Sequence, residues 1–169
     1  MTSIAMTSNL TDLSKLLADS LPLLSLLHLA VTWYLVGLIW TIQRVHYPSM
    51  FFVDPHPERA VQAERQHCDR IFWIVGPMML VEGALAALLL FAIGWLNGND
   101  AKTLILPGLG IVLLLVIWLS TAMIQMPLHD ELLKQPNPSA NHRLVNSNWI
   151  RTAAWTVRGL VALVIALMH

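Results

Sequence analysis

The amino-acid sequence predicts an all-α protein built as a four-helix transmembrane bundle, on three observations. The chain is 56% hydrophobic and only 12% charged, with a mean hydropathy of +0.62, whereas a soluble domain has about 25% charged residues. Four stretches are mostly apolar over about 20 residues, the length that an α-helix needs to cross a bilayer. Polar residues inside these stretches recur at helical spacing, which places them on one face of each helix.

The first 20 residues are expected to form an amphipathic segment ahead of a single membrane domain at 21–169. Leu10, Leu13, Leu16 and Leu17 share one helical face, which is typical of a short helix lying on a membrane surface. A secretory signal is not expected here, because the segment lacks a basic start and is polar.

Four spans are predicted at about 21–45, 71–96, 103–126 and 148–168. The second link, NGNDAK, favours a tight turn, and QPNPSAN in the third link favours a loop. In the first link, Pro57 precedes a run of charged residues. Because proline is favoured in the first turn of a helix, this pattern predicts a short interfacial helix between spans 1 and 2.

Basic residues are distributed unevenly between the two ends of the predicted bundle, with seven at the end of the first and third links and two at the other. Cytoplasmic loops are enriched in Lys and Arg, so this bias predicts a bacterial inner membrane protein with links 1–2 and 3–4 in the cytoplasm and both termini outside. No basic tract suggests a nucleic-acid partner. The seven are Arg44, Arg59, Arg65, Arg70, Lys134, Arg143 and Arg151, and the two are Lys15 and Lys102.

The fourth span has a polar stripe formed by Asn148, Arg151, Trp155 and Arg158. Ionisable residues inside a bilayer normally face the bundle interior and pair there. Glu82 lies eleven residues into the second span and Arg158 ten residues beyond Asn148, so the two should reach the same depth from the same membrane face. The sequence therefore predicts that Glu82 pairs with Arg158.

Polar residues of the other spans are expected to converge near the cytoplasmic end, beside Arg151. One interpretation is a structural network that fixes helix packing, since hydrogen bonds between membrane helices specify a geometry more than they stabilise it. The other interpretation is a functional site. The residues are Gln43, His46, His67, Gln125 and His129.

Histidine is the residue here best suited to bind a transition metal. His46, His67 and His129 each follow or precede a different span, so together they form a candidate site for iron, copper or zinc. Cys68, the single cysteine, is either a further ligand or incidental. Haem is not expected, because His28 has no second histidine at its depth. Hydrolase, P-loop and Rossmann motifs are absent from the sequence.

Four segments resemble a family of small uncharacterised bacterial four-helix membrane proteins: VGLIWTIQRVHYPSMF, IVGPMMLVEG, WLSTAMIQMPLHDEL and RLVNSNWIRTAAWTVRG. This resemblance covers about Trp33 to Leu160. PLHDEL followed by NWIRTAAW is more distantly similar to anthrone oxygenase-like membrane proteins, in which a Pro-x-Asn pattern precedes an Arg-bearing last helix. His129 stands where that pattern has Asn. The distant resemblance implies oxygenation of an apolar aromatic substrate.

The leading functional hypothesis is a membrane-embedded oxidoreductase or oxygenase-like enzyme that acts on a small apolar molecule. Arg151 would bind an anionic or carbonyl oxygen, His46 and His129 would act as acid–base groups or metal ligands, and Glu82 with Arg158 would hold the scaffold. The alternative is a non-catalytic accessory subunit or a small-ligand-binding membrane protein. Expected partners are the lipid bilayer, a small apolar ligand, and further copies of the chain or a larger membrane complex.

Overall fold

A computed structural model describes residues 2–50 and 56–169, with side chains described for 9–49 and 56–169. These residues form the helices α1 (Thr2–Thr41), α2 (Tyr47–Met50), α3 (Pro57–Leu96), α4 (Ala101–Ser120), α5 (Met126–Leu132) and α6 (Pro138–Met168). No strand occurs among them. Two π-helical turns continue the helix, Ile42–His46 between α1 and α2 and Thr121–Gln125 between α4 and α5.

The helices form a bundle in which consecutive long segments are neighbours. α1 packs on α3 and α6, and α4 packs on the same two helices from the other side. Four segments are long and apolar enough to cross a membrane: Asn9–Ser49, Pro57–Leu96, Ala101–Leu132 and Pro138–Met168. The all-α four-helix prediction is confirmed, and we conclude that the chain is an integral membrane protein.

Three helices are longer than the sequence predicted, and one of them, α6, begins at Pro138 inside the predicted loop QPNPSAN. Pro57 does begin a helix, but α3 continues without a break to Leu96, so the helix expected at the interface is the first part of a spanning helix. Glu, Arg and Gln before Ile71 are good helix formers, and no glycine or proline separates them from the apolar stretch. The N-terminal segment is likewise continuous with α1. Residues 51–55 of the first link lie outside the described residues.

The two π turns have a common cause in the sequence. Pro48 follows the turn Ile42–His46, and Pro127 follows the turn Thr121–Gln125. A proline inside a helix lacks an N–H and its ring clashes with the carbonyl four residues earlier. Widening the preceding turn relieves this clash. π turns are rare and often occur at functional sites, and these two place Gln43, His46 and Gln125.

The bundle interior alternates between apolar and polar layers. Leu24, Leu89 and Ile165 belong to an apolar layer near the chain termini, and Leu35, Ile117 and Trp155 belong to a second layer in the middle. A third apolar layer includes Ile42, Leu128 and Leu144.

Buried polar residues occupy the two levels between these layers, while most outward positions of the spans are apolar. A helix bundle in lipid is expected to have polar groups inside and apolar groups outside. The buried polar and charged residues are Ser25, His28, Thr32, Gln43, Glu64, Glu82, Ser120, Gln125, Asn148, Arg151, Thr152 and Arg158.

Candidate functional site

The first polar level contains an ion pair between Glu82 and Arg158, both fully buried. Arg158 Nε donates to Glu82 Oε1 at 2.6 Å, and Nη2 lies 2.5 Å from the same oxygen. Thr32 Oγ1 donates to this oxygen at 3.1 Å, and His28 Nε2 lies 3.2 Å from it. The pairing predicted from matching depth is therefore present, and His28 and Thr32 complete the set of partners.

Gly110 on α4 also contacts this ionic centre. Arg158 Nη1 donates to the carbonyl oxygen of Gly110. A Cβ atom at Gly110 would lie only 3.2 Å from Nη1, so the missing side chain is what allows the guanidinium to approach the backbone. The ionic centre, defined as His28, Thr32, Glu82, Gly110 and Arg158, thus joins α1, α3, α4 and α6.

The second polar level is a network of amides and hydroxyls. Asn148 Nδ2 donates to Gln43 Oε1 at 2.8 Å, and Gln43 Nε2 donates to the Val145 carbonyl at 3.2 Å. Gln125 accepts from Ser120 at 3.0 Å and donates to Ser147 Oγ at 3.2 Å. Both glutamines lie in the π turns, so the widened turns connect α1 and α4 to α6.

Arg151 lies in this second level without an acidic partner among the described residues. It is 8% exposed, and Nη1 donates to Asn148 Oδ1 at 3.2 Å. Its Nε is buried and has no hydrogen-bond partner among the described residues. Burying a charge is costly unless it is paired, so this guanidinium still has binding capacity.

Three histidines and a glutamate form a cluster between α3 and the segments after the π turns. His46 stacks on His67 with ring centroids 4.3 Å apart, and the centroids of His67 and His129 are 5.5 Å apart. His129 Nδ1 hydrogen-bonds to Glu64 Oε1. His46, Glu64, His67 and His129 are called the histidine cluster below. The structure thus brings together the three histidines predicted as metal ligands.

A cavity of about 360 Å³ lies between this cluster and Arg151. Its walls are mainly apolar and come from α3 and from the chain around the second π turn. This volume is within the range of small-molecule pockets, about 300–1,000 Å³. Most of the polar groups concentrate at one end, and the polar lining residues are Tyr47, His67, Cys68, Thr121, Gln125, His129, Asp130 and Arg151.

The predicted site residues therefore separate into two groups. Gln43, Gln125, Asn148 and Arg151 converge at the second polar level, next to the histidine cluster. Glu82 and Arg158 lie in the ionic centre, closer to the chain termini. Trp155, predicted on the same stripe, is buried in the middle apolar layer between the two levels.

Glu64 was missed by the prediction from sequence, which took the metal ligands from the three histidines, with Cys68, Asp130 and Glu131 as further candidates. Glu64 is 3% exposed although it precedes the apolar part of α3. A signal was present: Glu64 and His67 have the spacing Glu-x-x-His, which four-helix carboxylate metalloproteins use to place two ligands on one helix face. Tyr47 was also missed, because only the first π turn directs it inward.

No family model, curated protein or solved structure matches this chain. The function is therefore inferred from the geometry of the cavity and its polar end.

Proposed function

We propose that this integral membrane protein is an oxidoreductase of the oxygenase-like kind, acting on a small, mainly apolar molecule held in the cavity. The observation that supports this proposal most is the position of Arg151. A buried guanidinium, which has no acidic partner among the described residues, lines an apolar cavity that also has His67 and His129 on its wall.

Arg151 would bind an oxygen of the substrate. Its planar guanidinium donates several hydrogen bonds and keeps its charge, and bonds from a charged donor are the stronger ones. A carbonyl or enolate oxygen would offer the acceptor that the described residues do not provide to Nε. Tyr47 and Gln125 line the same end of the cavity and add neutral polar groups.

The mouth of the cavity suits a molecule that arrives from the lipid phase. Phe72 and Met126 line the cavity and are 63% and 57% exposed on the outer surface of the bundle. Apolar walls of Ile71, Val75 and Met79 continue inward. A lipophilic substrate could thus enter sideways, with its polar end directed at Arg151.

With anthrone as substrate, the chemistry would begin with removal of a proton from the methylene carbon opposite the carbonyl, which is conjugated with that carbonyl through the aromatic rings. His67 and His129 are the candidate bases, since both line the cavity, and His46 reaches the cavity only through its stacking on His67. Arg151 would stabilise the negative oxygen that develops. Dioxygen is the oxidant: one anthrone (C14H10O) and one O2 give one anthraquinone (C14H8O2) and one water.

Anthrone is accordingly the probe for a test with the full-length protein in lipid nanodiscs. Oxygen uptake and anthraquinone formation above the uncatalysed rate are expected, and Arg151→Leu should lower the catalysed rate at least tenfold, roughly the loss of one oxyanion donor. Arg44→Leu is the matched control, because Arg44 is exposed in the first π turn, and should leave the rate unchanged.

Two results would overturn the oxidation. Equal rates of anthrone oxidation for Arg151→Leu and the unaltered protein would show that Arg151 takes no part in the reaction. Saturable binding of anthraquinone that Arg151→Leu abolishes, with no oxygen uptake from anthrone, would instead favour the alternative of a non-catalytic ligand-binding protein.

The orientation proposed is that of a bacterial inner membrane protein with both termini outside. The support is the seven-to-two distribution of basic residues in the sequence. Alkaline phosphatase fused after His169 should be active, and a fusion at Pro138 should be inactive. The opposite pair of results would reverse the orientation.

A further inference from the structure

Glu64, Cys68 and His129 lie close enough to share one ion. Glu64 and Cys68 are four residues apart on α3 and therefore on one helix face, and His129 approaches them from α5. One possible ligand atom from each residue lies within 4.8 Å of the other two. Cys68 Sγ is 3.5 Å from Glu64 Oε1, and His129 Nδ1 hydrogen-bonds to the same oxygen.

We propose that Glu64, Cys68 and His129 bind a late first-row divalent metal ion, of the Zn²⁺ or Fe²⁺ class. Metal–ligand bonds of about 2.0–2.3 Å would place the ligand atoms of a tetrahedral ion about 3.3–3.8 Å apart. Cys68 Sγ and Glu64 Oε1 already have this separation, at 3.5 Å, whereas Glu64 and His129 are in direct contact and would have to separate to admit the ion. A thiolate and an imidazole are soft or borderline ligands that favour zinc and iron over magnesium and calcium.

Charge balance supports an ion at this position. Glu64 is buried, and burial of a lone carboxylate is costly. A carboxylate and a thiolate together neutralise a divalent cation, so the occupied site would have no net charge. In the structure, His129 and Cys68 both contact the Glu64 carboxylate directly, and a bound ion would replace these two contacts.

The surroundings of the three ligands point to an open coordination position. Cys68 and His129 line the cavity, and so does His67. Catalytic zinc sites, unlike structural ones, have three protein ligands and a fourth position that is open to a cavity. His67 is next to His129 and lines the cavity beside this open position, so it remains available as a base when His129 binds the ion. Behind it, His46 Nε2 is buried with no hydrogen-bond partner among the described residues.

This inference does not depend on the proposed oxidation, because metal binding is measured without substrate. The test uses Co²⁺ as a spectroscopic probe on the full-length protein in detergent, purified with a tag that contains no histidine and stripped of metal. One equivalent of Co²⁺ should bind and give visible d–d bands together with a near-ultraviolet thiolate-to-metal charge-transfer band. Zn²⁺ should displace both signals, and elemental analysis of the unstripped protein distinguishes zinc from iron.

Variants assign the ligands. Cys68→Ser should remove the charge-transfer band, and His129→Gln and Glu64→Gln should each weaken Co²⁺ binding at least tenfold, since even loss of an outer-shell partner costs 10–100-fold. Glu58→Gln and His169→Gln are matched controls, because Glu58 is exposed on the same helix and His169 is exposed at the other end of α6.

The site would be disproved by any of three results: no stoichiometric Co²⁺ binding, a spectrum without the thiolate band, or a Cys68→Ser spectrum identical to that of the unaltered protein. The cysteine variant keeps the test decisive even where Glu64→Gln fails to fold, because Cys68 is only half-buried and serine is smaller.

Discussion

Arg158 and Arg151 stand on one face of α6, seven residues apart, in very different surroundings. Arg158 contacts an acid, a backbone carbonyl and, at 3.4 Å, the ring of His28. Arg151 has one amide oxygen as partner among the described residues and lines a cavity. Arg158 and Glu82 neutralise each other, although Glu82 Oε2 and His28 Nδ1 have no hydrogen-bond partner among the described residues. Arg151, in contrast, has no described acid beside it, and its Nε is without a described partner. The charge of Arg158 therefore holds helices together, whereas the charge of Arg151 is available to a ligand.

The largest expected effect comes from opening the ionic centre. Arg158→Leu strands Glu82 in an apolar interior, and breaking a buried pair on one side costs about 3–5 kcal/mol. The free energy of unfolding in a mild detergent, measured by titration with a denaturing detergent, should fall by this amount.

The double change Glu82→Leu with Arg158→Leu should recover most of the loss, because neither charge is then left unpaired. A double variant as unstable as Arg158→Leu alone would mean that the pair itself, and not the stranded acid, determines the stability.

A smaller loss is expected when a methyl group is added to the ionic centre. Gly110→Ala places a Cβ about 3.2 Å from Arg158 Nη1 and should push the guanidinium off the Gly110 carbonyl. Overpacking of this kind costs about 1–3 kcal/mol. Gly108→Ala on the same helix is the control, since nothing lies within 4 Å of its added Cβ, and it should be neutral or stabilising. Equal behaviour of the two variants in the unfolding titration would argue against the close approach.

Arg151→Leu should reduce the free energy of unfolding by less than Arg158→Leu or Gly110→Ala does. It removes one hydrogen bond to Asn148 and leaves no acid without a partner, so the loss in unfolding free energy should not exceed about 1 kcal/mol. The substitution should mainly weaken ligand binding. Anthraquinone binding, measured by equilibrium dialysis, should be at least tenfold weaker, because a charged hydrogen bond is worth about 1.5–3 kcal/mol. A large loss of stability with unchanged binding would make Arg151 a second scaffold residue.

The smallest effect is expected at Thr32. Its hydroxyl has one proton, which is shared between Glu82 Oε1 and the His28 carbonyl, and Arg158 still neutralises Glu82 when this proton is absent. Thr32→Val should therefore cost about 0.6 kcal/mol, the average for a side-chain hydrogen bond between membrane helices. A cost above about 2 kcal/mol would show that Arg158 alone does not satisfy Glu82.

The ionic centre was partly predictable because depth along a helix follows from residue number. Counting residues from one membrane face paired Glu82 with Arg158. It did not reveal His28 as a further partner of Glu82, since two residues at equal depth meet only if their helices are also rotated toward each other. The Gly110 carbonyl was not predictable at all, because backbone groups have no signature in the sequence.

The cavity end was less predictable, because two π turns change the rotation of the helices that form it. Helical periodicity assumes 3.6 residues per turn throughout, and Pro48 and Pro127 invalidate that assumption after residues 41 and 120. Glu64 was missed for a different reason: a charged stretch before a span was interpreted as an interfacial surface, yet α3 continues through it and buries one of its faces.

The π turns also bear on how this chain can change in length. A π turn holds one residue more than the α-helical turn it replaces, so deleting one residue from Ile42–His46 or Thr121–Gln125 would restore an ordinary turn without rotating the helix on either side. The same deletion elsewhere in a span would rotate every later side chain by about 100° and expose buried charge to lipid. Insertions and deletions could therefore accumulate at these two positions, and the polar end of the cavity could be remodelled by a single codon.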